Sequence, residues 1–303
     1  MQSPLHYTEN YTEPQMIYTM ILEKVTLLYQ KYIPNTIKHR KNVGLQKQSD
    51  VVIISCVLWA LMEGYKNQSD AYRAIRGNLF KDDFPERSRF CRICQNLAFV
   101  IKLIRYFFIK ELTDGTTLVI VDSMPCPLCK PIRNCRAHLL QNVADIGYNS
   151  TKRMHYYGLK LSFLVTESGY PMDYVVSTAS IHDIRLIPTL AEETPIPQII
   201  GDKGYLSKEI QRKLSDIHIT LTTLLRKNMI RADKTDTRLL GKRRKVIETV
   251  FSSLESFGIQ AFKNRSLRAF EFHLEAILLV YSLMLENAQK HFGQTLRYSL
   301  GRY

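Results

Sequence analysis

The chain has 303 residues, of which 45% are hydrophobic and 23% charged, an ordinary balance for a globular protein that excludes global disorder. A net charge of +14 indicates a polyanionic partner, either nucleic acid or an anionic membrane surface. The longest uncharged apolar run, residues 51–62, is shorter than the roughly 20 residues that span a bilayer, and the N-terminus lacks a signal-peptide pattern. We therefore expect a cytoplasmic protein without membrane spans.

Residues 1–112 predict helices throughout, with no strand alternation. Apolar residues recur at helical spacing after Pro14, and two Ser-Asp pairs are typical of helix N-caps. The predicted helices start at Pro14, at Val51 after Ser49-Asp50, after Ser69-Asp70, and at Pro85, the last being a long helix that reaches about Leu112. Such a bundle is either purely structural or presents one helix to DNA. No turn signature selects that helix.

The pattern changes at residues 113–115. Strand-like runs follow at 116–121, 156–166, 170–178, 198–202 and 218–225, and helical patterns at 182–193, 207–214, 239–257 and 267–290. The turn at Gly169 predicts a hairpin between the second and third strands. This order is typical of an α/β ribonuclease H-like mixed sheet with flanking helices and not of a doubly wound sheet. We predict an all-α DNA-binding domain at 1–112 and a catalytic domain at 113–303.

Residues 226–245 form a basic connector, in which nine of the twenty residues are Lys or Arg and only Asp233 and Asp236 are acidic. A charge run of this kind is often only a solvated surface. Here it leads directly into a predicted helix that carries Glu248. Cationic side chains beside a metal site would suit a phosphodiester substrate.

Three carboxylates have the pattern that a two-metal nuclease needs. Asp122 and Asp202 each close a strand-like run, whereas Glu248 lies in a predicted helix. Two strand-end aspartates and a helical glutamate can meet at one edge of a sheet, and Mg²⁺ prefers such hard oxygen ligands. Two ions about 3.5–4 Å apart can activate water and stabilise the leaving oxygen, with Asp122 as the bridging ligand. Taken singly, a strand-end aspartate is more often a turn or cap residue and Glu248 could be an ordinary surface residue, so the prediction rests on the three together with the basic run beside them.

The neighbours of these carboxylates are candidate DNA-binding residues. They are Lys203, Tyr205, Lys242, Arg243, Arg244 and Lys245. Arg244 is one helical turn before Glu248, so it can hold the glutamate, bind a phosphate or form an ordinary intrahelical ion pair. Loop solvation and packing are equally good explanations for Lys203 and Tyr205.

Six cysteines include two C-x-x-C pairs, at Cys91 and Cys94 and at Cys126 and Cys129. Four thiolates at such spacing can hold structural zinc. The two pairs differ in context, however, since one lies in an Arg-rich helical stretch and the other is interleaved with prolines. Free thiols are the preferred interpretation, and zinc stays open.

Five separated motifs resemble the DDE transposases of bacterial insertion sequences, most closely insertion-sequence family 982. In order they are Val-Asp122-Ser-Met-Pro, Tyr156-Tyr157-Gly158-Leu159-Lys160-Leu161, Ser180-Ile181-His182-Asp183, Gly201-Asp202-Lys203-Gly204-Tyr205, and Arg244-x-x-x-Glu248-x-x-Phe251-Ser252-x-Leu254. The resemblance covers roughly residues 116–285. Two positions depart from the Tyr-Arg-Glu-Lys signature of many relatives: Gly241 stands at the tyrosine and Glu255 at the lysine. Asp183 is interpreted as a helix cap.

The resemblance implies a ribonuclease H-like domain that binds Mg²⁺, or Mn²⁺ in its place, through Asp122, Asp202 and Glu248. It implies endonuclease cleavage at terminal inverted repeats and transfer of the freed 3′-hydroxyl into target DNA. The implied partners are double-stranded DNA and at least a second copy of the chain, near the bacterial nucleoid. Two alternatives remain: a catalytically silent DNA-binding protein, and a nuclease of this fold that only hydrolyses DNA.

Overall fold

The computed structural model describes residues 14–150, 152–223, 237–260 and 262–292, without the side chains of residues 237–239 and 292. These parts of the chain form a mixed α/β structure. Six helices come first: α1 (Pro14–Tyr32), α2 (Asn35–Lys38), α3 (Asp50–Met62), α4 (Gln68–Asn78), α5 (Arg87–Asn96) and α6 (Ala98–Leu112). No helix in these ranges is long and apolar enough to cross a membrane.

Six strands and four more helices follow. The strands are β1 (Leu118–Pro127), β2 (Asp145–Asn149), β3 (Met154–Thr166), β4 (Pro171–Thr178), β5 (Gln198–Gly201) and β6 (Thr220–Thr223). The helices are α7 (Ile187–Glu193), α8 (Lys208–Asp216), α9 (Thr237–Ser256) and α10 (Leu267–Phe292). Most of the basic connector, together with the end of the run predicted at 218–225, lies outside the described residues.

Two helix predictions in the first part of the chain were wrong. The long helix after Pro85 is divided into α5 and α6 at Leu97, where the backbone leaves helical geometry (ψ 0°) and the side chain is buried with 1% exposure. The cap of α4 is Asn67, not Ser69, because the Asn67 side chain accepts from the amide of Asp70. Ser49 does cap α3, through the amide of Val52.

The sheet is mixed, with the order β2-β3-β1-β5-β6 and β4 also paired to β3. β1 runs antiparallel to β3 and parallel to β5, and β5 runs parallel to β6. The predicted hairpin is confirmed, since β3 and β4 pair antiparallel around Gly169 with φ 94°. The short strand β2, which pairs with the start of β3, was missed by the sequence analysis.

Helix α10 joins the two parts of the chain. It packs against α3, α5 and α6 as well as α9, and its residues from Leu274 to Tyr281 are almost entirely buried. One apolar cluster therefore extends from α1 through the inner face of β1 to α10. The division into domains at residue 113 stays a prediction, and the core is continuous across it.

His273 on α10 gives a testable pH dependence. Burial lowers its pKa to about 4, and its Nδ1 lies 3.2 Å from Asn264 Oδ1. The unfolded chain then binds a proton that the folded chain does not, so this contribution to stability is present above about pH 6.5 and is lost as the pH falls towards 4. We expect His273→Gln to flatten the dependence of unfolding free energy on pH in that window, measured by urea unfolding. The exposed His138→Gln is the control, and an equal slope in both variants would contradict the prediction.

Candidate active site

The strand register brings Asp122 and Asp202 together. β1 and β5 pair in parallel up to Ile120 opposite Ile200. Asp122 and Asp202 each lie two residues beyond this pair, at the same end of the two strands, and the charge of Asp202 acts on Asp122. Asp122 does not end its strand as predicted, because β1 continues to Pro127 along β3. The pairing of β1 with β5 ends before Asp122, so Asp122 lies just beyond the last β1–β5 pair.

Side-chain alternation places both aspartates on one face of the sheet. Ile120 and Ile200 belong to the core cluster that includes Ile247 and Val250 of α9, and residues two positions further along a strand point to the same face. Val119 and Ile199 belong instead to the cluster on the opposite face. Helix α9, which carries Glu248, packs against β1 and β5. Asp122 and Asp202 therefore lie on the face of the sheet that α9 covers, and α9 itself carries Glu248.

The turn after β5 holds Asp202 in place. Its Oδ1 accepts from the amide of Gly204 at 2.6 Å, and Tyr205 then packs against Gly201, where an added Cβ would lie 2.9 Å from Tyr205 Cβ. The motif Gly201-Asp202-Lys203-Gly204-Tyr205 is thus a compact turn with a buried tyrosine anchor. The anchor fixes where the Asp202 carboxylate projects.

Helix α9 supplies a cation to the aspartate pair. Arg244 Nη2 lies 3.6 Å from Asp122 Oδ2, so Arg244 interacts with the aspartate and not, as one prediction held, with Glu248 in an intrahelical pair. Glu248 is exposed one turn further along the same helix. Arg244 is only about one-fifth exposed, which makes this a partly desolvated contact.

Asp122 is partly buried and has two other carboxylates nearby. Its pKa is raised to about 6, chiefly by burial; the Ser123 amide and Arg244 oppose the rise, and the charges of Asp202 and Asp183 contribute less to it. The charges of Asp202 and Asp183 both act on Asp122, and we call these three residues the acidic cluster. Carboxylate oxygens are the hard donors that Mg²⁺ prefers, but in this conformation the three side chains do not form a ready-made metal-binding group.

Asp183 is a member of this cluster that the sequence analysis assigned to another role. Residues 183–186 form a short 3-10 turn before α7, and its cap is His182, whose Nδ1 accepts from the amide of Ile184 at 3.5 Å. Asp183 is instead held by Lys160 at 2.9 Å, and Lys160 also donates to the carbonyl of Ile181. Lys160 and Asp183 each lie in one of the quoted motifs, and only the tertiary structure shows that they are a pair.

The predicted DNA-binding side chains have different environments. Lys203, Lys242 and Lys245 are exposed, whereas Arg243 pairs with Glu167 at 2.9 Å. The assignment of Tyr205 is corrected, because its side chain is 1% exposed and packs in the second apolar cluster. It cannot lie on a DNA path in this conformation.

Within the described ranges, no three His, Cys, Asp or Glu side chains form a group that could hold a metal ion. The six cysteines form no disulfide. Cys94 and Cys126 are buried, and burial raises the pKa of both thiols. Cys126 Sγ donates to the carbonyl of Ile259 at 3.6 Å, so it contributes to core packing between β1 and the end of α9.

An acidic cluster on a mixed sheet, crossed by a cationic helix, is suited to chemistry on phosphate esters. The comparisons name the family. Residues 113–283, more than half of the chain, match the family described as the transposase DDE domain. This chain belongs to that family of transposases. The insertion-sequence family 982 is not identified by the match.

A solved structure also has some similarity to this chain. A piggyBac transposase synaptic complex with hairpin DNA, solved by cryo-EM, is similar at 10% identity and a TM-score of 0.42, covering 99% of this chain and 81% of that chain. At that score we draw no conclusion from it. No curated protein matches.

Proposed function

We propose that this chain is a metal-dependent DNA transposase of an insertion sequence, with a ribonuclease H-like catalytic core at residues 113–303. The observation that carries the proposal is the register of β1 and β5, which sets Asp122 beside Asp202 on the face that α9 crosses. Membership of the transposase family supports it. The strand order, with an antiparallel hairpin followed by two parallel strands, supports the assignment of the core.

Asp122, Asp202 and Glu248 would hold the cation, Mg²⁺ or Mn²⁺. When bound as a pair, such ions activate the attacking oxygen and stabilise the leaving oxygen of a phosphodiester. Asp122 and Asp202 are fixed by the sheet and by the Gly204 amide. Glu248 is exposed on α9, the helix that packs against β1 and β5, and would supply the third carboxylate. Lys160 holds Asp183 behind the pair.

The substrate would reach the cluster over the basic side of α9. Lys242 and Lys245 are exposed on this helix and Lys203 on the turn beside Asp202, so their ammonium groups can contact backbone phosphates of double-stranded DNA. Arg244 contacts Asp122 and would be available to bind the reacting phosphate if a cation were held at Asp122. Arg243 would first have to leave Glu167. Pairing two transposon ends would need two or more copies of the chain.

The reaction has two phosphoryl transfers. Water first attacks a phosphorus at the terminal repeat, and a P–O bond breaks to leave a 3′-hydroxyl and a 5′-phosphate. The oxygen of that hydroxyl then forms a bond to a target phosphorus, and the target's own 3′-oxygen leaves. Both steps need carboxylates that the fold holds in a fixed geometry and that the substrate can still reach.

A mini-transposon assay tests this proposal. We expect the protein, incubated with Mg²⁺, a duplex bearing the element's terminal repeats and a target plasmid, to give joined products on a denaturing gel. Omitting the divalent cation is expected to abolish both steps. Products that are only hydrolysed would favour a nuclease, and binding without any cleavage would favour a silent DNA-binding protein. Either result would overturn the proposal.

A further inference from the structure

A polar cavity lies away from the acidic cluster, between the helical part of the chain and the start of α10. Its volume is about 410 Å³, many times the roughly 30 Å³ share of one water molecule. It lies between the first turn of α4, the end of α5, and residues 263–266, which precede α10. Its lining includes the side chains of Asn67, Ser69, Gln95, Lys263, Arg265 and Ser266.

Two cations at the cavity are free to accept an anion. Lys263 and Arg265 are both exposed, and neither forms a salt bridge within the described part of the chain. The nearby carboxylate, Asp70, is already held by Arg73 and by the Asn67 amide. Lys263 has only a weak effect on it, the smallest of those that lower the pKa of Asp70. The cavity therefore has an excess of positive charge.

Two helices begin at the same cavity. α4 begins at Gln68, capped by Asn67, and α10 begins at Leu267, with Ser266 Oγ accepting from the amide of Ala269 at 3.3 Å. Each cap satisfies one amide, and the remaining first-turn amides of a helix have no acceptor within it. The positive ends of two helix dipoles add to the charges of Lys263 and Arg265.

The inner wall of the cavity is fixed by hydrogen bonds. Asn264 donates to the carbonyl of Ala269 and faces His273 Nδ1, and Gln95 Oε1 accepts from Ser266 Oγ at 3.3 Å. The segment that carries both cations is thereby tied to α5 and α10. An anion here would meet a prearranged site, which lowers the entropic cost of binding.

We propose that this cavity binds a backbone phosphate of DNA, at a contact separate from the acidic cluster. The exposed cations form an open rim. One phosphate of a long polymer can therefore enter the cavity while the rest of the polymer stays outside. The site also joins the helical part to α10, so contact with DNA there would not need any helix to enter a groove. The inference rests on the proposed function only in taking the polyanion to be DNA.

The salt dependence of DNA binding tests the proposal. The variant is Lys263→Ala/Arg265→Ala, and the control is Lys208→Ala/Arg212→Ala, which also removes one lysine and one arginine, from exposed positions on α8 outside the predicted DNA-binding residues. Binding of a labelled duplex is followed by anisotropy over a series of salt concentrations. Loss of one phosphate contact lowers the slope of log K against log salt by about 0.9. We expect that fall, and an affinity loss of about tenfold, for the cavity variant alone.

A second pair of variants changes the cavity without removing a cation. Ser69 is exposed in the first turn of α4, where a carboxylate is favourable for the helix. Ser69→Glu is therefore expected to keep or raise the melting temperature while weakening duplex binding. Ser69→Gln has a side chain of the same shape as the glutamate variant but no charge, and it is expected to bind as the parent does. Equal binding by these two variants would overturn the proposal.

The remaining outcomes separate this inference from the proposed function. If the parent protein shows no salt-dependent binding of duplex DNA, both fail. If it binds and the cavity variant keeps the parent slope, only the cavity assignment fails. Inorganic phosphate is the ligand in a third test. Phosphate could raise the melting temperature of the parent but not of the cavity variant, while the cavity variant binds the duplex as the parent does. That result would assign the cavity to a free phosphate compound and overturn the DNA contact.

Discussion

Replacing Asp122 by asparagine is expected to abolish cleavage of a terminal-repeat duplex while leaving duplex binding close to that of the parent. The substitution keeps the size of the side chain and removes a negative charge from the acidic cluster. A metal-assisted displacement draws several kcal/mol of transition-state stabilisation from its cation, so we expect the single-turnover rate to fall by about 1,000-fold or more. Binding should persist because Lys203, Lys242 and Lys245 are unchanged.

The control for this variant is Asp216→Asn. Asp216 is an exposed residue at the end of α8, and the substitution makes the same change of charge outside the proposed set of metal ligands. It should cleave at the parent rate. Retained cleavage by the Asp122 variant would remove that residue from the catalytic set, whereas loss of binding as well as cleavage would indicate a folding defect.

Replacing Glu275 by glutamine is expected to cost the fold about 3–5 kcal/mol, the range for removing one partner of a buried ion pair. Glu275 and Arg105 are each 1% exposed and form an ion pair between α10 and α6. Tyr174 of β4 donates to Glu275 Oε1 at 2.6 Å, and Arg105 donates to the carbonyl of Met172. The variant leaves the Arg105 charge buried without a counterion. Urea unfolding should show a lower midpoint with an unchanged m value.

A double variant distinguishes an unpaired charge from lost packing. Arg105→Met/Glu275→Gln leaves no buried charge, and the new amide oxygen can still accept from Tyr174, so most of the stability should return. Glu209→Ala removes one partner of the exposed pair with Lys213 on α8 and should leave the midpoint unchanged. A double variant as unstable as the single one would show that shape, and not charge, holds these elements together.

The sequence indicated which carboxylates are candidates but not how they are arranged. Asp122 and Asp202 became candidates because each follows a buried apolar run, a pattern that depends only on local residue order. Their adjacency depends on the β1–β5 register, which local order does not contain. The same holds for the contact of Arg244 with Asp122, where helical spacing suggested Glu248 as the partner. Tyr205 was assigned to DNA because a tyrosine after a loop carries no signal of its own burial.

Periodicity and turn chemistry by themselves determined most of the elements and their order: the helical first part, the hairpin at Gly169 and the closing helices. These features arise from contacts within a few residues, so they are readable along the chain. Only the tertiary structure decided the break at Leu97, the pairing of β2, the Lys160–Asp183 pair and the cavity between α4 and α10. Each depends on surfaces that meet across long stretches of sequence, where packing overrides local preference.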